Sequence, residues 1–129
     1  MSDKPELTVR LGPTYERDLR NLRLDALTLR EIETTIREIK VALAENPGNP
    51  DRTRAGLPYP RDHHETWKRR IGRPGANMGK RGALRLAYWW RRPRNEIVLL
   101  RLYYKRELSD LPQDKINKAK AAFLDALRT

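Results

Sequence analysis

Two runs of alternating side chains constrain this chain more than anything else in it. Residues 84–91 read Leu-Arg-Leu-Ala-Tyr-Trp-Trp-Arg, and residues 97–105 read Ile-Val-Leu-Leu-Arg-Leu-Tyr-Tyr-Lys. Period-two alternation of aliphatic and aromatic groups predicts strands. The Arg-Pro-Arg-Asn turn at 92–95 is far too short for a helical crossover, so the two strands must pair antiparallel. A sheet of this kind has to bury at least one face, and the rest of the sequence offers helices for it. Residues 7–11 alternate and predict a first strand, which Gly12-Pro13-Thr14 breaks. Thr14 is placed to cap a helix from Tyr15, with Tyr15, Leu19 and Leu22 on one face. Thr28 and Glu31 have capping-box spacing at the head of a second helix, striped by Leu29, Ile32, Ile36, Ile39 and Leu43. Asn46-Pro47-Gly48-Asn49-Pro50 ends that helix, and 46–64 reads as loop.

Residues 65–71 predict a strand with Trp67, Arg69 and Ile71 on one side and Lys68 and Arg70 on the other. Residues 72–82 form a Gly- and Pro-bearing turn, so that 65–106 makes a basic three-strand segment. A last helix over 109–128 starts at Ser109 or Asp110 with Pro112 in its first turn, and Ile116, Ala119, Phe123 and Leu127 share a face. The order β-α-α-β-β-β-α predicts a single α+β domain over 1–129. Its two N-terminal helices pack on a twisted, mainly antiparallel sheet of about four strands, followed by a C-terminal helix. The sheet face away from the helices is expected to stay open.

Charge is segregated along the chain. Residues 51–106 hold 16 Lys/Arg and 4 Asp/Glu, a net of +12, whereas the remainder holds 12 and 13, a net of −1. Twenty of the 28 cations are Arg, whose planar fork suits bidentate phosphate contacts. No run of about 18 apolar residues exists, which argues against a membrane span, and the polar N-terminus predicts no secretory signal. The chain has no cysteine, which removes thiolate chemistry and Cys-based metal sites; a cytoplasmic protein without metal or other cofactor is the expectation. By alternation, Arg85, Arg101, Tyr103 and Lys105 share the open face with Lys68 and Arg70, each solvent-facing. So many like charges on one surface, interleaved with aromatic groups, predict a polyanion, and nucleic acid in particular, as partner.

One stretch carries a more specific signal. Gly79-Lys80-Arg81-Gly82-Ala83-Leu84-Arg85-Leu86-Ala87-Tyr88-Trp89, followed by a strand closing in Tyr103-Tyr104-Lys105-Arg106-Glu107, resembles the RelE/HigB superfamily of toxins from bacterial toxin–antitoxin systems. The resemblance extends over roughly 7–128, with its specific part at 79–107. It implies a metal-free endoribonuclease that enters the ribosomal A site and cuts the mRNA there by attack of a ribose 2′-OH on its own 3′ phosphate. It also implies contact with rRNA and inhibition by a cognate antitoxin protein. Arg85 matches the family's strand arginine and takes the role of stabilising the transition state. Lys105 and Arg106 match its closing basic pair, and Lys68 and Arg70 its basic strand residues, with Lys68 as proton acceptor. Some members carry a catalytic Tyr just downstream; residues 108–112 contain none, and Tyr103, better placed by alternation than Tyr104, is the substitute. Arg69, Arg73, Lys80, Arg81, Trp89 and Arg101 are expected as further RNA contacts.

Two other readings share these residues. A ParE-like toxin that poisons gyrase would have the same fold without RNA chemistry, and a non-catalytic RNA- or ribosome-binding relative would keep the basic face. His63-His64, next to Glu65, is the chain's only imidazole pair; an ordinary surface position is expected for it, a catalytic role being the alternative.

Overall fold

The computed structural model describes residues 7–59, 65–72, 84–105 and 110–128. Along the chain these form β1 (Thr8–Leu11), α1 (Pro13–Leu22), α2 (Ala26–Glu45), a single helical turn α3 (Arg52–Ala55), β2 (Leu57–Pro58), β3 (Thr66–Ile71), β4 (Leu84–Arg91), β5 (Glu96–Tyr104) and α4 (Gln113–Leu127). A 3-10 turn at Arg92–Arg94, closed by Asn95 in the left-handed region (φ 52°), joins β4 to β5. The sheet runs β1-β5-β4-β3-β2. Its centre is antiparallel, as the short turn requires, but β1 lies parallel to β5 at one edge and β2 adds a fifth strand at the other. The sheet is therefore mixed and five-stranded, where the sequence predicts about four strands, mainly antiparallel.

Several boundaries differ from the sequence reading for local reasons. Helix α1 begins at Pro13, whose fixed φ suits a first helical position, and Gly12 rather than Thr14 precedes it. The Gly12 N–H donates to the Leu99 carbonyl at 2.9 Å, and a Cβ at Gly12 would lie 2.7 Å from that oxygen, so only glycine fits there. Helix α2 is capped by Asp25, whose carboxylate accepts from the Thr28 N–H at 2.8 Å; Thr28 is inside the helix and buried. Its core face runs through Thr28, Ile32, Thr35, Ile39, Ala42 and Leu43, and Leu29 turns outward. Thr35 can be buried because its hydroxyl donates to the Glu31 carbonyl at 2.8 Å. The presumed loop contains α3 and β2, held because the Tyr88 hydroxyl donates to the Ala55 carbonyl at 2.5 Å. Gly56 then turns the chain at φ +97°, with Lys68 backbone where a side chain would sit.

Two cores lie on opposite sides of the sheet. On one, Tyr15 of α1 and Ile32, Ile39, Ala42 and Leu43 of α2 meet Trp67, Ile71, Leu84, Leu86, Tyr88, Trp90, Ile97, Leu99, Leu102 and Tyr104. On the other, Leu111 and the α4 residues Ile116, Ala119 and Phe123 cover Ala87, Val98, Leu100, Tyr103 and Tyr59. The second face is thus not open: α4 packs across much of it, with Pro112 before the helix and Leu127 exposed at its end. The alternation of β5 also breaks. A bulge opposite Ala87/Tyr88 shifts the register, so that Val98, Leu100 and Tyr103 share the α4 side while Leu99 and Leu102 share the other.

Candidate active site

Three neighbouring strands place Arg70, Arg85 and Tyr103 in one row. Arg70 is the cross-strand partner of Arg85, and Arg85 is the partner of Tyr103. All three stand on the α4 side, next to Lys68, which pairs with Ala87 one step along. The row lies at the sheet end from which 73–83 connects β3 to β4, and Lys105 is the exposed residue that follows β5.

Arg85 is not solvent-facing. It is 3% exposed, and one guanidinium nitrogen donates to the Leu84 carbonyl at 3.2 Å. Burial, and then the Arg70 cation beside it, pull the guanidinium below its ordinary value, while Tyr103 opposes them. At neutral pH it remains a cation. A guanidinium screened from water and set beside another is a strong electrostatic partner for an anion that enters the site.

Tyr103 is 5% exposed and Tyr59 is 7% exposed. Neither phenol oxygen completes a hydrogen bond among the described residues. Burial pushes both phenols above their ordinary value, with Asp110 and each other as neighbours. Both therefore keep their protons at neutral pH. Lys68 reaches over the Tyr59 ring, 5.8 Å from its centroid, and its ammonium donates to Asp110 at 3.1 Å. These two contacts hold the Lys68 side chain beside the row.

Tyr59 and Asp110 join this cluster without having been identified from the sequence. Tyr59 directly follows Pro58 of β2; its N–H donates to the Thr66 carbonyl at 2.8 Å, extending the β3 edge. Asp110 carried only a helix-start signal.

Other expected RNA contacts are engaged elsewhere. Arg69 is buried on the α2 side, where it donates to the carbonyls of Arg54 (2.8 Å) and Arg70 and pairs with Glu38 at 3.2 Å. The Arg101 guanidinium is held by Asp18 of α1 at 2.7 and 3.3 Å. The same carboxylate accepts from the Leu102 N–H at 2.9 Å, closing the part of the β5 edge that β1 does not reach. Trp89 stacks edge-on against Phe123 of α4, with Arg91 and Lys120 over its ring at 4.7 and 4.9 Å. Tyr104 packs in the α1–α2 core. Arg73, Lys80, Arg81 and Arg106, His63-His64 and residues 79–83 and 106–107 of the motif lie outside the described residues.

Among the described residues no helix is long and apolar enough to cross a membrane. Compared with protein-family models and with curated protein sequences, the chain finds no match.

Proposed function

We propose that this chain is the toxin of a toxin–antitoxin pair, a RelE/HigB-like endoribonuclease that cuts mRNA on the ribosome. The observation that carries this reading is the row Arg70, Arg85 and Tyr103 with a second buried phenol, Tyr59, beside it. A row that joins cations to protonated phenols suits a phosphodiester whose leaving group needs a proton.

In this reading the ribose 2′ oxygen attacks the adjacent phosphorus and the bond from phosphorus to the 5′ oxygen breaks. The products are a 2′,3′-cyclic phosphate and a 5′-hydroxyl end. Arg85, backed by Arg70, stabilises the extra negative charge of the phosphorane. Tyr103, held as a phenol by burial, gives its proton to the departing 5′ oxygen. Lys68, anchored by Asp110, and the exposed Lys105 hold the flanking backbone. The 2′ proton leaves to water or to a group outside the described residues. The segregated positive charge brings the chain to ribosomal RNA, and a cognate antitoxin neutralises it.

Induced expression without a partner tests this. Amino-acid incorporation should stop before thymidine incorporation, with mRNA cut within the coding sequence. A first block in DNA synthesis with accumulating DNA breaks would favour the gyrase-poisoning alternative. Ribosome binding without cuts would favour the non-catalytic one.

A further inference from the structure

At the opposite end of β4, a cleft of about 470 Å³ opens between the Pro47–Pro50 turn and the Arg92–Arg94 turn. Along the strand it lies about 20 Å from Arg85, at about 3.3 Å per residue. Arg52 stands on one wall, and Arg92 and Arg94 stand on the other. None of these three has an ion pair or side-chain hydrogen bond among the described residues, whereas Arg91, also in the lining, is held by Glu96 at 2.8 Å. The lining holds four Arg and a single acid, Glu65, which faces Lys120 at 3.6 Å. All three tryptophans of the chain, Trp67, Trp89 and Trp90, line the same cleft. The Trp90 indole N–H is buried without an acceptor among the described residues, a state that is costly unless something completes it.

The walls are set before any ligand arrives. The Asn46 side-chain oxygen accepts from the Asn49 N–H at 3.2 Å and fixes the proline-flanked turn. A Cβ on Gly48 would come within 3.9 Å of the Arg92 guanidinium, so the two rims stand close. Guanidinium forks without a partner among the described residues, in a cleft that the indoles also line, match an anion that is flat or ribose-sized and rich in acceptors. Lysine, which serves a point charge as well, is missing from the lining.

We propose that this cleft is a second RNA site, which takes a phosphodiester and its attached nucleoside from a single-stranded segment remote from the Arg70–Arg85–Tyr103 row. The choice of RNA as the polyanion rests on the proposed function. The cleft would hold the strand several nucleotides from the point of cleavage and add affinity that does not pass through Arg85.

The intrinsic tryptophan emission of the full chain reports on this cleft, since it has no other source. Titration with a short oligouridylate should change the emission, with an affinity that falls as salt rises. Arg92→Gln with Arg94→Gln should weaken binding about tenfold or more. Arg52→Gln, on the other wall, should weaken it as well. Trp90→Phe keeps the ring and should cost less. Circular dichroism of each variant confirms the fold. Wild-type affinity in both the Arg52 variant and the Arg92/Arg94 variant would overturn the proposal. So would saturation by inorganic phosphate with no response to RNA, or tighter binding of oligoglutamate, which would make the cleft a seat for an acidic protein segment. RNA binding that depends on these arginines in a chain that cuts no RNA would uphold the cleft and reject the endonuclease reading.

Discussion

Arg69 and Arg70 are adjacent in sequence and opposite in role. Arg69 is enclosed by two carbonyls and Glu38, whereas Arg70 is exposed beside Arg85. Removing one partner of a buried ion pair strands the other, although Glu38 keeps some solvent. Arg69→Ala should therefore cost about 2–4 kcal/mol in urea unfolding, while Arg70→Ala should leave the midpoint nearly unchanged and slow cleavage. Equal midpoints for the two variants would contradict the placement. Strand alternation groups Arg69 with Trp67 and Ile71, the side on which the structure buries it. The phenols give a second contrast. Tyr103→Phe deletes a buried hydroxyl with no partner among the described residues, so stability should hold or rise, while cleavage should fall about 100-fold if the phenol is the proton donor. Retained cleavage in Tyr103→Phe would remove that role. Tyr59 was not legible because its function depends on β2 returning the chain to β3, a pairing of two residues that leaves almost no periodic signal.

Among the elements, α4 decides how much of the sheet's second face a ligand can reach. Its stripe of Ile116, Ala119 and Phe123 was legible, but stripe spacing does not say which surface it covers. The same stripe serves a helix that extends the first layer or one that closes the second. The structure chooses the second, and it covers Val98 and Leu100 as well as the edge of Trp89. Phe123→Ala should cost about 3–5 kcal/mol in chemical unfolding and make Trp89 more accessible to acrylamide quenching. A loss below about 1 kcal/mol would mean that the helix is only loosely docked. The β5 bulge was illegible for another reason. Leu99-Leu100 is an apolar pair that fits either side of a sheet, and only the partner strand reveals which residue is extra. Asp18 shows what a helix beside a strand edge can do. A single carboxylate satisfies an edge N–H and retains Arg101, and nothing in helical spacing announces it.

For the whole molecule, burial of tyrosine sets a clear response to alkali. Burial, and then the Asp18 carboxylate, push Tyr15 up to about 12, and Tyr59, Tyr88 and Tyr103 move the same way through burial. Folded values above the unfolded one, about 10, mean that this stability is complete below pH 10 and drains away as pH rises through 12. Thermal unfolding measured from pH 8 to pH 12 should show a plateau and then a fall, and Tyr15→Phe should fall less steeply. A midpoint independent of pH up to 12 would contradict the buried placement of these phenols. Segregated charge has its own consequence. An antitoxin that shields the Arg70–Arg85 region should bind with a steep loss of affinity as salt rises. One whose affinity ignores salt would have to inhibit from the α1–α2 side.

The central claim concerns the chemistry at Arg85, and the most direct measurement follows the ends of an mRNA cut on programmed ribosomes. Wild-type protein should leave a 2′,3′-cyclic phosphate and a 5′-hydroxyl, and a 2′-deoxy substitution at the cut nucleotide should block the reaction. Arg85→Ala should reduce the single-turnover rate about 10²–10³-fold with ribosome binding little changed. His63→Ala with His64→Ala should cut at nearly the wild-type rate. Cleavage at the wild-type rate in Arg85→Ala, together with a dead double-histidine variant, would contradict the account and move the catalytic centre to the segment between β2 and β3.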